Sequence, residues 1–148
     1  MRCAPCRPRS GAVALVTACV LGAWLGAAQA DPFTDYILHC RGCHRPDGSG
    51  VAGAAPSFRG QLGKFLWVPG GREYLMRVPG TAQSELSDAR TAALLNWMLH
   101  EFSAEEIPTD FVPFSEEEVA HYRRPPLTDA AARRRQLLQA IAAQRGKR

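Results

Sequence analysis

Hydrophobic positions divide the chain into four kinds of segment. The first is an unbroken apolar run from Gly11 to Ala28, preceded by Arg2, Arg7 and Arg9 and closed by Ala28-Gln29-Ala30. The second begins at Asp31-Pro32, an N-cap and first-turn proline. It predicts a helix with Phe33, Tyr36, Ile37 and Cys40 on one face. A third pattern starts at Ser87 or Asp88 and brings Ala92, Leu94, Leu95, Trp97, Met98 and Phe102 round at helical spacing. Beyond Ser103 the apolar positions thin out. Ser115-Glu116-Glu117-Glu118 reads as a capped helix start, Arg123-Arg124-Pro125-Pro126 as a break, and Thr128-Asp129 as the cap of a last helix. That helix carries only a narrow stripe, Leu137, Leu138 and Ile141. No internal repeat is visible.

The first run has the form of a secretory signal, with small residues at both positions before a cut ahead of Asp31. Its 18 residues also approach the span of a membrane anchor, and Val16-Thr17-Ala18-Cys19 resembles a lipoprotein box with Cys19 as the lipidated residue. Each alternative implies export, and the expected location is the periplasm. Membrane attachment enters only through an uncleaved signal or a lipidated Cys19. The expected organisation is a signal at 1–30, a compact domain at 31–103 and a charged extension at 104–148 with one or two helices.

Division changes what the composition means. The whole chain of 148 residues carries a formal charge of +4, five cysteines and a pI near 9. Three cysteines and three arginines lie in the signal. Residues 31–100 hold seven basic and six acidic side chains, residues 101–120 seven acidic and none basic, and residues 121–148 eight basic and one acidic. The basic balance therefore belongs to the signal and the tail, and an exported domain with a basic tail gives no reason to expect nucleic acid. A core of about 70 residues is marginal without a disulfide framework, a metal or a cofactor. With Cys40 and Cys43 the sole cysteines after Asp31, a disulfide framework is a poor answer.

Cys40-Arg41-Gly42-Cys43-His44 is a C-x-x-C-H sequence, the attachment signature of c-type haem. Two thiols about one helical turn apart add to the two vinyl groups of one porphyrin, and the next residue offers its imidazole to the iron. Three other readings compete. A disulfide oxidoreductase also uses C-x-x-C, but after a strand in an α/β pattern that this chain lacks. A zinc ribbon needs a second ligand pair, and no cysteine follows Cys43. A plain disulfide leaves His44 without a purpose.

The surrounding residues carry a resemblance. Tyr36-Ile37-Leu38-His39 before the motif, Arg45-Pro46-Asp47-Gly48-Ser49-Gly50 after it, Gly53-Ala54-Ala55-Pro56-Ser57-Phe58-Arg59-Gly60, and Leu86-Ser87-Asp88 through Trp97 resemble the class I, monohaem, c-type cytochromes over about residues 33–102. The resemblance implies an all-α fold of cytochrome c-like helices wrapped around one covalent haem c, with the helical extension added. It implies Cys40 and Cys43 as the thioether positions, His44 as proximal ligand and Pro56 as the residue whose carbonyl accepts the His44 Nδ1 proton. It places the axial methionine loop close to Met76, which would close the iron's sixth position and make an electron carrier. The family more often has proline directly after that methionine, whereas Pro79 comes three residues later. His39, His100 and His121 are the other conceivable ligands, and Met98 falls in the helical stripe. Trp67, Arg59 and Arg72 suit haem propionates by their N–H donors, and each equally suits an ordinary surface or core role.

Three functions follow as expectations. The first is single-electron transfer between a periplasmic dehydrogenase or respiratory complex and an oxidase or another cytochrome, with no substrate transformed. The second is a haem-bearing subunit of a larger dehydrogenase, docked through 104–148. The third is a ligand-binding or peroxidase-like protein with an open sixth position.

Overall fold

The computed structural model describes residues 31–145; the signal and Cys19 lie outside them. Among the described residues there are helices, turns and one isolated bridge between Val51 and Ala55, and no strand. The fold is all-α. In chain order the helices are α1 (Pro32–His39), α2 (Arg41–His44), α3 (Gly71–Arg77), α4 (Pro79–Ala82), α5 (Asp88–Ser103), α6 (Glu116–Tyr122) and α7 (Ala130–Arg145). Single 3-10 turns occupy Gly63–Trp67 and Ala104–Glu106. No described helix is long and apolar enough to cross a membrane.

Local capping chemistry starts the longer helices. Ser87 Oγ accepts the Arg90 amide at 3.2 Å, Ser115 Oγ accepts the Glu118 amide at 3.2 Å, and Asp129 Oδ1 accepts the Ala132 amide at 2.7 Å. Asp31 stands at the α1 N-cap position, yet its backbone carbonyl, not its carboxylate, receives the first bond, from Asp35. Pro32 at the first helical position needs no such donor.

Helices α1 and α5 pack together through aromatic rings. Tyr36 lies 5.5 Å from Trp97 and 5.1 Å from Phe102, centroid to centroid, while Phe33 meets Trp97 edge-on at 6.0 Å. Phe33 nevertheless stays half exposed, because it sits in the first turn of α1. The buried Asp35 carboxylate accepts two bonds from Arg90, one of them from Nε at 3.2 Å, which ties the same two helices electrostatically. Gly71 allows α3 to start hard against the preceding turn: a Cβ there would collide with the Phe65 carbonyl oxygen.

Tyr36 is fully buried, and its hydroxyl donates to the Arg45 carbonyl at 2.5 Å. Burial, helped by the nearby Cys40 and Asp47, pushes the phenol up to about 12. A group whose pKa is raised on folding contributes stability below its unfolded value near 10 and loses it as the pH climbs to the folded one. The wild type is therefore expected to lose stability between about pH 10 and 12. Urea unfolding of Tyr36→Phe across that window should lack this component; an identical pH slope in both proteins would refute it.

Residues beyond Ser103 return to the same core. Asn96 on α5 exchanges two bonds with the Phe114 backbone, at 3.0 and 2.8 Å, and seats Phe114 and Val119 in the core. Leu137 and Ile141 bury against the 3-10 turn and α3, so the narrow stripe of α7 is spent within the chain. The acidic and basic stretches reach across to the earlier helices. Glu118 holds Arg72 of α3 through two bonds, at 2.5 and 2.6 Å, and Arg123 meets Asp88 at 2.7 Å.

Candidate functional site

The C-x-x-C-H segment bridges α1 and α2. The Cys40 and His44 amides bond back to the Tyr36 and Cys40 carbonyls at 2.9 and 3.0 Å, so helical geometry is carried almost continuously through the motif. Arg45 ends it at φ 63°, and the chain turns through Gly48 and Gly50 towards Pro56. At Gly50, with φ 73°, a Cβ would collide with the Ala55 carbonyl oxygen. Glycine is needed there for the return loop to close on the motif.

That closure brings the Pro56 carbonyl 3.0 Å from His44 Nδ1. In this geometry Nδ1–H donates, the tautomer is set, and Nε2 keeps its lone pair. Phe58 stacks on the imidazole at 3.9 Å and 19° between planes. Burial holds the His44 pKa below the ordinary histidine value, against the opposing effect of the Pro56 bond, so the ring is neutral and able to ligate. Cys40 and Cys43 are not joined in a disulfide. Burial, with Asp35 and Cys43 adding, pushes the Cys40 thiol up to about 11. A redox-active C-x-x-C needs the reverse shift, towards thiolate, so the environment disfavours disulfide exchange. Among the described residues no cluster of three or more His, Cys, Asp or Glu side chains could hold a metal, which leaves a zinc ribbon without ligands.

Cys40, Cys43 and His44 open onto a cavity of about 480 Å³. Its wall is largely apolar, with Leu62, Phe65, Leu75, Leu94 and Leu95 prominent. Volume, apolar lining and a convergent pair of thiols with a tautomer-fixed imidazole together suit a covalently held porphyrin.

The structure distributes the other expected site residues differently. Met76 is 1% exposed within the hydrophobic core and is not among the residues lining the cavity. The reason is local: residues 71–77 form a helix rather than a loop, and α3 presents Tyr74 and Leu75 to the cavity while Met76 turns elsewhere. Met98 does line it, from α5. Trp67 Nε1–H donates to the Glu106 carbonyl at 2.7 Å. Arg59 pairs with Asp47 on the surface at 3.2 Å. Arg72 pairs with Glu118, donates to the Val112 carbonyl at 2.8 Å and lies 4.0 Å over the Phe114 ring. None of these three lines the cavity; each has met an acceptor supplied by another part of the chain. His39 lines it beside Cys40, whereas His100 and His121 are exposed and apart from it.

Among the described residues, the cavity's one lysine or arginine is Arg134 of α7, joined by Ala130 and Ala131. In the sequence Arg134 is simply the middle of Arg133-Arg134-Arg135, about ninety residues from the motif, and carries no local mark of this position.

No protein-family model matches the chain. A cytochrome c-552 of Thermus thermophilus is 34% identical over 122 residues, covering 70% of this chain and 82% of that protein. A second cytochrome c-552 from Thermus thermophilus is 33% identical over 118 residues, covering 68% and 89% respectively.

Proposed function

The chain belongs to the c-type cytochrome family, and on that premise we propose that it carries single electrons in the periplasm, between a dehydrogenase or respiratory complex and an oxidase or another cytochrome. The observation that carries this reading is the convergence of Cys40, Cys43 and the Pro56-oriented His44 on one apolar cavity. The bound haem c supplies the chemistry, a reversible one-electron change at iron.

The chain's own residues make that change usable. Cys40 and Cys43 tether the porphyrin so that it is not lost on export or dilution. His44 offers Nε2, and its bond to Pro56 raises ligand basicity and prevents ring rotation. Phe65, Leu75, Leu94 and Leu95 exclude water, which lowers the local dielectric and favours the less charged state of the site. Arg134 is the side chain placed to neutralise a carboxylate of the porphyrin edge. Exposed apolar residues next to the lining, Leu38 beside His39 and Val51 near Ala54, suit a small transient contact with redox partners.

The test is expression with export and haem-attachment machinery, followed by an alkaline pyridine spectrum and a potentiometric titration. The expected result is one haem per chain, resistant to acid extraction, with a reversible one-electron Nernst curve, and rapid oxidation by an added soluble cytochrome. An exported chain without covalent haem, or iron that does not cycle, would sink the proposal.

A further inference from the structure

A buried cation stands behind part of the cavity wall. Arg123 closes the C-terminal end of α6, its amide bonded to Val119 O at 2.9 Å, and Val119 is fully buried in the core. Seated by that contact, the Arg123 side chain runs inward until it is 1% exposed. Its guanidinium meets the wall from the side away from the cavity. Nη1 donates to Thr91 Oγ1 at 3.2 Å, and Nη2 donates to Ser84 O and Ser84 Oγ at 2.8 and 3.3 Å. Thr91 and Ser84 line the cavity, and so does Thr81, whose carbonyl lies 3.5 Å from Nη2. Arg123 does not line it, so a single layer of residues separates the charge from the space on which Cys40, Cys43 and His44 open.

Compensation of that charge is one-sided. Its ion-pair partner Asp88 accepts from Nη1 at 2.7 Å, keeps 29% exposure and is absent from the cavity lining. Arg123 Nε–H meets no acceptor among the described residues. The pair is thus a dipole with its positive end at the wall and its negative end towards solvent. The hydroxyls in between are committed: Thr91 Oγ1–H donates to Ser87 O at 2.9 Å and Ser84 Oγ–H to Thr81 O at 3.0 Å. Among the described residues no Asp or Glu lines the cavity. A cation so placed is screened far less than one at the surface.

We propose that Arg123 sets the reduction potential of the haem: its buried charge, held behind Thr81, Ser84 and Thr91, favours the ferrous over the ferric state and raises the midpoint. The inference rests on the reading that Cys40, Cys43 and His44 hold a haem in this cavity, and it gives the segment beyond Ser103 a redox role. It is independent of what binds the iron opposite His44. Oxidised haem carries one more positive charge than reduced haem, and a fixed cation nearby makes that extra charge costlier to hold.

The test is the midpoint potential of full-length holoprotein at pH 6, by spectroelectrochemical titration, for wild type, Arg123→Met, Arg123→Lys and Asp88→Asn, with urea stability measured in parallel. Arg123→Met is expected to lower the midpoint, and Arg123→Lys, which keeps the charge, to stay nearer the wild type. Asp88→Asn is decisive because it removes the compensating negative charge and should raise the midpoint while lowering stability. A role confined to bracing the wall predicts the reverse sign, since a loosened wall admits water to the haem and lowers the midpoint whichever partner is lost. A midpoint that falls or stays put in Asp88→Asn would overturn the inference, even where Arg123→Met yields no holoprotein. The alkaline pyridine spectrum separates the two readings: covalent haem with that outcome refutes this inference alone, and the absence of covalent haem in the wild type refutes the haem site itself.

Discussion

The Cys40→Ala, Cys43→Ala double variant is expected to be exported and yet to lack a cooperative unfolding transition at physiological temperature. The cavity on which the two thiols open measures about 480 Å³, and its inner wall is formed by core side chains, among them Leu62, Phe65, Leu75, Leu94 and Leu95. Without porphyrin the apolar wall of this cleft is left facing water, and the burial it loses is large beside the stability of a small domain. A small domain has only about 5–15 kcal/mol of total stability. The chain without its porphyrin must therefore collapse its walls inward, and Phe65, Leu75, Leu94 and Leu95 cannot all keep their native contacts when it does. Near-UV circular dichroism should be lost while far-UV helicity is retained in part, as in a compact state without fixed packing. Any residual haem should extract into acidified solvent. His44→Ala is the informative companion: both thioethers remain, so the haem should stay covalent and the fold cooperative, with the altered absorption of iron that has lost its imidazole. A sharp thermal transition in the double cysteine variant close to the wild-type midpoint would contradict the argument.

Arg123→Met is expected to cost the holoprotein about 3–5 kcal/mol, the range for removing one member of a buried charged network. The guanidinium is 1% exposed and serves acceptors on the α4–α5 connection and the first turn of α5. Nη1 donates to Leu86 O at 2.9 Å, to Asp88 Oδ1 at 2.7 Å and to Thr91 Oγ1 at 3.2 Å; Nη2 donates to Ser84 O and Ser84 Oγ at 2.8 and 3.3 Å. Methionine matches the stem but leaves the buried carbonyls without donors, each worth about 1–3 kcal/mol. Lysine should recover only part of the loss, because a single ammonium cannot span two carbonyls and a carboxylate in the planar fork that arginine offers. Urea titration of holoprotein, followed at the haem Soret band and in the far ultraviolet, measures the effect. A change below about 1 kcal/mol would show that the tail is held by its apolar contacts alone. Because the same guanidinium pins the α4 portion of the cavity wall, haem absorption should broaden in the variant before global unfolding begins.

These two sites sit at opposite ends of what a sequence can disclose. Cys40, Cys43 and His44 act within one helical turn, so their spacing already contains their geometry. The same holds for Ser87, Ser115 and Asp129, whose capping bonds reach only three residues ahead. Their chemistry is local and could be read without knowing where any other segment lies. The apolar positions of α5 were legible for a related reason: helical spacing gathers them on one face whatever that face meets.

Partner choice was decided elsewhere. Arg72 and Arg59 have the right chemistry for a propionate, and so does every arginine in the chain. Burial of Val119 and Phe114 against α5 carries Glu118 to Arg72 across 46 positions, and burial of Leu137 and Ile141 carries Arg134 to the cavity. Met76 followed the same rule, since a thioether is apolar enough to be claimed by the core once residues 71–77 become helical. By itself, the sequence determined the spacing that sets Cys40, Cys43 and His44 within one helical turn, and the helix starts, because these depend on bonds between near neighbours. Only the tertiary structure decided which cation reaches the cavity, where the tail's thin stripe is buried and which side chains form the wall away from His44. Those outcomes depend on the joint burial of segments far apart in the chain, and a charge or a sulfur takes whatever partner that packing brings within reach.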